Sequence, residues 1–301
     1  MGKLAFVFSG QGAQKTGMGK SFYDECPASR AVFDIAGEEI TRLCFEGSGE
    51  ILAQTVNTQP CVFCADLAAA YALSAEGLVP DAAAGFSLGE IPALAFANVL
   101  TIQNAFELVC KRGELMDFCA KKTAGFMAAV MRITPTQVEE ACKMAGVYAA
   151  NYNCDTQIVV SGEAKRAKTF FDAVRTLGGR AVPLAVSGAF HTPYMEEASG
   201  LLYDYMAKFE FHKSSFPLYS NVTALPYQQG EERKLLSRQV CSPVLWQKTI
   251  ENMAADGFDT FIEVGVGNTL STLIGRILPD AKTFCVTSTK ERDECLKERL
   301  R

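Results

Sequence analysis

The sequence has no stretch of about 18 consecutive apolar residues, and its first apolar run, Leu4 to Phe8, is too short for a signal peptide. A cytoplasmic chain without a membrane span is expected. It also lacks any run of Lys or Arg, since 29 basic residues face 34 acidic ones for a net charge of −5. That balance argues against nucleic acid or an anionic membrane as partner. Histidine occurs twice and tryptophan once, so imidazole chemistry has two candidates, His191 and His212. Cysteine is not scarce, at 11, but the count is odd and most of the residues fall in apolar periodic runs, which reads as reduced core thiols. Cys61 and Cys64 form a C-x-x-C, yet no second Cys or His pair lies near enough to complete a zinc site, so no metal is expected. There is no internal repeat and no low-complexity segment.

What is present is an α/β pattern 301 residues long with 49% hydrophobic residues. Lys3 to Phe8 is an apolar strand without polar alternation, as a parallel strand covered on both faces should be. It runs into Gly10-Gln11-Gly12, either a plain strand-to-helix turn or a loop whose N–H groups face a ligand. A long helix is expected from Pro60 to Leu78 and a second strand from Asp81 to Gly85. That strand ends in Gly85-Phe86-Ser87-Leu88-Gly89, a Gly-x-Ser-x-Gly elbow leading into a helix at Ile91-Pro92. The pattern arises by chance in about one chain in ten of this length, so its weight comes from the readable strand before it and helix after it.

Thr101 caps a helix running to about Lys122, with Arg112 alone among its apolar positions. Such an arginine is either a snorkelling surface residue or a carboxylate clamp. From residue 123 to 187 the order becomes strand, helix, strand, strand, helix, strand, the βαββαβ of a ferredoxin-like subdomain, inserted into a larger domain of residues 1–122 and 188–301. His191 then sits just ahead of a helix start at Thr192-Pro193, where the helix dipole favours the neutral imidazole of a general base. His212 has no turn or helix start to aim it and reads as a solvated surface residue. A short strand over Phe216 to Ser220 and a helix from Pro243 carrying Trp246, read as a core anchor, are expected before the last two strands.

An elbow serine, one placed histidine and a strand-end glutamine loop make a nucleophilic acyl-transfer set, with Leu88 and Gln11 N–H groups as oxyanion donors. Serine before histidine suits an α/β-hydrolase-like core with a parallel sheet. No acidic third member of a triad is evident, and a main-chain carbonyl is an alternative that could orient the histidine.

Taken together, Gly10-Gln11-Gly12-Ala13-Gln14, the elbow through Glu90, Arg112-Gly113 with Met116, Gly188-Ala189-Phe190-His191 and Glu263-Val264-Gly265 resemble the malonyl-CoA:acyl carrier protein transacylases over nearly the whole chain. The resemblance implies Ser87 as nucleophile, His191 as base, Gln11 and Leu88 as oxyanion donors, and Arg112 as the clamp for the malonyl carboxylate. It implies that a main-chain carbonyl at Gln239, ahead of Pro243-Val244, orients the histidine, and that Asn153 lines the thioester side of the cleft. Malonyl-CoA and holo acyl carrier protein are the implied partners, and no cofactor is implied, coenzyme A thioester being a substrate. Ala189-Phe190-His191 matches the malonyl-selective form of its segment. Phe86 stands where the family has histidine, Ser9 where it has proline, Cys154-Asp155 where it has Ser-Pro, and Val266 and Asn268 where it has Pro and Lys. A serine hydrolase and a non-catalytic carrier-binding module are the competing readings. Arg112 disfavours the first, because a simple esterase needs no buried cation, and the presence of both Ser87 and His191 disfavours the second.

Overall fold

The computed structural model describes residues 2–186 and 188–299. Ser187, the expected last residue of the small subdomain, lies outside them. The strands are β1 (Lys3–Phe8), β2 (Ala82–Gly85), β3 (Gly125–Met131), β4 (Tyr148–Cys154), β5 (Gln157–Glu163), β6 (Arg180–Pro183), β7 (Leu218–Tyr219), β8 (Phe258–Val264) and β9 (Lys282–Val286).

One sheet has the order β7-β2-β1-β8-β9, and every neighbouring pair in it is parallel. β1 sits in its middle because both faces are apolar: Leu4, Phe6 and Phe8 enter one core, Ala5 and Val7 the other. Helices cover both faces, so the carboxyl ends of β1, β2, β7 and β8 open along one edge, the usual ligand edge of such a sheet. The second sheet has the order β4-β5-β3-β6 with every neighbouring pair antiparallel. Two helices, Pro135–Ala145 and Ala167–Thr176, cover it around Val130, Ile158, Val160, Phe170 and Val174. This is the expected ferredoxin-like arrangement, and the fold as a whole is the α/β one read from the sequence.

Two expected helices begin elsewhere. The long one covers Thr55–Ala75, with Pro60 inside it. Proline usually marks a first helical turn, but here nearly every residue from Thr58 to Leu73 is buried, and that packing carries the helix through the proline. The shift places Gln59 within the helix. The other begins at Trp246 rather than Pro243, because residues 243–245 are drawn out along β4. Val244 N–H donates to the Ala150 carbonyl at 2.8 Å and its own carbonyl accepts from Tyr152 N–H at 2.9 Å. That bridge fastens the small sheet to the chain just after Gln239.

Candidate active site

The elbow is dictated by two glycines. A Cβ on Gly85 would lie 2.0 Å from the Gly89 carbonyl carbon, and one on Gly89 would lie 2.3 Å from the Phe8 carbonyl oxygen, so neither position accepts a side chain. Between them the chain turns through Ser87–Gly89 into the helix Glu90–Phe96 with Ser87 at φ 54°. His191 is likewise left-handed, at φ 60°. Non-glycine residues held there are strained, and both of these are at the same site, which is where proteins keep strain that serves function.

Ser87 Oγ lies 2.8 Å from His191 Nε2, and His191 Nδ1 lies 2.9 Å from the Gln239 carbonyl oxygen. A carbonyl only accepts, so Nδ1 carries the proton and Nε2 is free to accept from the serine. Burial, and then the neighbouring Arg112 cation, push the His191 pKa down to about 4, keeping the imidazole neutral. His191 N–H donates to the Val240 carbonyl at 3.1 Å, so the histidine and the carbonyl that orients it belong to one tied unit.

Arg112 is 1% exposed, which removes the snorkelling alternative. Its Nη2 donates to Ser87 Oγ at 3.0 Å and to Gln239 Oε1 at 2.7 Å, and its Nη1 to Gln59 Oε1 at 2.8 Å, while Nε has no partner among the described residues. Every contacting acceptor is uncharged. Burial lowers the Arg112 pKa to about 10, with Glu90 opposing, so it stays a cation at neutral pH.

Behind these residues lies a layer that braces them. Asn221, just past β7, accepts the Ser87 N–H at 2.7 Å and donates to the Gly85 carbonyl at 2.6 Å, gripping both ends of the elbow. Gln239 Nε2 donates to the Ser87 carbonyl at 2.7 Å and to Glu90 Oε2, and Glu90 Oε1 accepts the Asn221 N–H at 2.6 Å. Burial raises the Glu90 pKa to about 7 although Asn221, Gln239 and Arg112 pull it down.

The loop after β1 reaches the same point. A Cβ on Gly10 would lie 2.8 Å from the Phe86 carbonyl oxygen, so this loop and the elbow are in direct contact. Among the described residues neither Gln11 N–H nor Leu88 N–H has an acceptor. Beside them runs a cleft of about 390 Å³ between the two sheets, lined by the Gly10–Gln14 loop, Phe86, Asn151, Asn153 and Gln157 among others. Asn153 donates to Gln157 Oε1 at 2.8 Å, and its own Oδ1 is buried without a partner among the described residues.

The carboxyl edge thus brings together a serine within hydrogen-bond reach of a histidine, a buried cation and two free amides, and comparison with known proteins gives the family. Residues 5–293 match the acyl transferase domain family. The chain belongs to that family. It is 36% identical over 298 residues to the malonyl CoA-acyl carrier protein transacylase of Bacillus subtilis, covering 95% of this chain and 94% of that protein. The transacylase of Clostridium perfringens superposes with a TM-score of 0.95 at 35% identity, over 99% of this chain and 97% of that one. A malonyl-transacylase solved with its type II polyketide-synthase acyl-carrier protein gives a TM-score of 0.94 at 31% identity, covering 98% of this chain and 99% of that one. These relatives are the transacylases that the motifs resemble.

In this acyl transferase, Ser87, His191, Arg112 and Gln239 meet directly, Leu88 follows Ser87 in the elbow, and Gln11 and Asn153 stand farther out, lining the cleft. His212 is exposed and away from the site, 3.8 Å from Glu210. Sequence reading missed Gln59, Glu90 and Asn221 as parts of the network. Gln59 carried a faint signal, a polar residue heading an otherwise apolar run. Asn221 carried none, since it meets Ser87 across 134 residues.

Proposed function

We propose that this acyl transferase moves a malonyl group from coenzyme A to the phosphopantetheine thiol of holo acyl carrier protein through a Ser87 ester, with ping-pong kinetics. The observation that supports it best is Arg112, a buried cation whose three acceptors are neutral. Such a cation is costly until an anion arrives, and a free carboxylate on the bound acyl group is that anion, next to the nucleophile. The relatives named for malonyl-CoA and acyl carrier protein support the same substrates here.

His191 Nε2 takes the Ser87 proton as Oγ attacks the thioester carbonyl, and the Gln239 carbonyl holds the imidazole in the required tautomer. Leu88 and Gln11 N–H groups receive the oxyanion. Collapse expels the coenzyme A thiolate, which takes the proton back from His191. The carrier thiol then reverses these steps on the ester. Asn153 faces the cleft that would take the pantetheine arm. All steps are carried by the chain's own groups, with coenzyme A as substrate and no resident cofactor. The 11 free thiols suit a reducing cytoplasm, and fatty-acid chain elongation is the setting we assign.

Intact-mass analysis after mixing with malonyl-CoA tests this. A malonyl adduct absent from Ser87→Ala and discharged by holo acyl carrier protein is expected. Free malonate with no adduct would instead mark a hydrolase, and preference for a polyketide carrier would move the enzyme to that pathway class.

A further inference from the structure

Asp66 is a buried acid that the transfer steps do not use. It lies on the long helix Thr55–Ala75, seven residues and so about two turns beyond Gln59. Its Oδ1 accepts the Ser9 hydroxyl at 2.7 Å, and the Ser9 and Val266 main-chain N–H groups lie close to the same carboxyl. A Cβ on Gly265 would fall 1.8 Å from that Oδ1, so the turn after β8 also closes on it. The carboxyl ends of two neighbouring central strands therefore converge on one side chain.

Ser9 is where the oxyanion loop departs, and the family has proline there. Proline restricts its own φ; a serine is free unless its side chain is tied. Here it is tied, and one residue later Gly10 presses on the elbow. Where Ser9 is held thus sets where Gln11 N–H stands relative to Leu88 N–H. Burial, and Glu263 facing it from β8, push the Asp66 carboxyl well above its usual range, which favours the neutral acid.

We propose that Asp66 is a positioning residue for acyl transfer, forming with Ser9 a strap from the long helix to the end of β1 that holds the Gln11 N–H against the elbow. Its kinetic consequence rests on the Ser87 acylation proposed above. The same helix would then fix both halves of the site, Arg112 through Gln59 and the oxyanion loop through Asp66.

The test uses Ser9→Ala, Asp66→Leu and Asp66→Asn, following Ser87 acylation, hydrogen exchange of residues 10–14 and thermal unfolding. Ser9→Ala and Asp66→Leu should slow acylation by about 10- to 100-fold with the malonyl-CoA KM within about twofold, and should raise exchange in the loop. The double variant should be no slower than the slower single one. Asp66→Asn keeps Oδ1 and should recover most of the rate. Unchanged acylation and loop exchange alongside a lowered Tm, or an Asn variant as slow as the Leu variant, would overturn the strap. If Asp66→Leu does not fold, Ser9→Ala decides by itself. Should the wild type show no Ser87 adduct, the transfer reading falls, and loop exchange still decides the strap.

Discussion

In the small antiparallel sheet Val130, Ile158, Val160, Phe170 and Val174 fill the core, while charges such as Lys165 with Glu163 pair at the surface. At the carboxyl edge of the parallel sheet the polar groups are themselves inside: Ser87, Glu90, Arg112, His191 and Gln239 are all buried. The first region departs from local rules mainly at its margins, as at the left-handed Arg132 that follows β3, whereas the second breaks several at its centre, with a buried cation and two left-handed non-glycine residues within one hydrogen-bond network. A region that departs from those rules and is braced on all sides is where function is expected. The small sheet contributes position instead, through its cleft wall and the Val244 bridge.

The largest expected effects should separate the two histidines. His191→Ala should slow Ser87 acylation by about three orders of magnitude or more, because serine and base act as one unit. His212→Ala, on the exposed surface, should leave the rate near wild type. A comparable loss in both, measured by single-turnover acylation, would dissolve the distinction between the buried network and the surface.

Next in size is Arg112→Ala. It should cut kcat/KM for malonyl-CoA by about 10² to 10³, since a charge-assisted pair with a carboxylate is worth about 1.5 to 3 kcal/mol per hydrogen bond. Acetyl transfer should hold or improve, having no carboxylate to lose. The acid limb of acylation should also move to higher pH, because the cation that helps to depress His191 is gone. Equal losses for malonyl and acetyl would make Arg112 a structural residue only.

How legible each region was follows from how far its contacts reach. The βαββαβ segment is written in local periodicity, so its six elements could be read in order. The site was legible where a motif forces geometry: Gly85 and Gly89 admit no side chain, which sets Ser87 at the tip of a tight turn, and Arg112 stands out on an apolar stripe. Glu90, Gln59 and Asn221 look ordinary in sequence, because their partners are set by tertiary contacts 53 to 149 residues away. Pro60 and Pro243 misplaced two helix starts for the same reason, burial in one case and a bridge to β4 in the other having overridden the local signal.

A smaller effect concerns two opposing titrations inside the network. Glu90, raised from 4.5 to about 7, holds a proton in the folded state between those values, so its contribution to stability falls as pH rises through that window. His191, lowered from 6.5 to about 4, is protonated only in the unfolded chain over nearly the same window, so its contribution grows with pH. In the wild type the two largely cancel. Glu90→Gln removes one, and its stability relative to wild type should therefore rise by about 3 kcal/mol between pH 4.5 and pH 7, read by denaturant unfolding at each pH. A difference that stays constant with pH would mean that Glu90 is ionised throughout.

The smallest effects test whether the division between the two regions holds residue by residue. Phe86 adjoins Ser87, yet its ring meets Trp246 edge-on at 5.4 Å and wedges against Gly10. It belongs physically with the apolar core, although it sits in the polar region and stands where the family has histidine. Phe86→His should then behave like Ile158→Val in the small sheet. Each should lower stability by about 1 kcal/mol, the first from a weakened aromatic pair and the second from a lost methylene. Each should leave acylation within a few-fold of wild type. If Phe86→His instead raised kcat by more than about 100-fold, or about 2.7 kcal/mol, the residue would count among the chemical groups of the site. The boundary between packing and chemistry would then have to be drawn on the far side of Phe86, against Trp246.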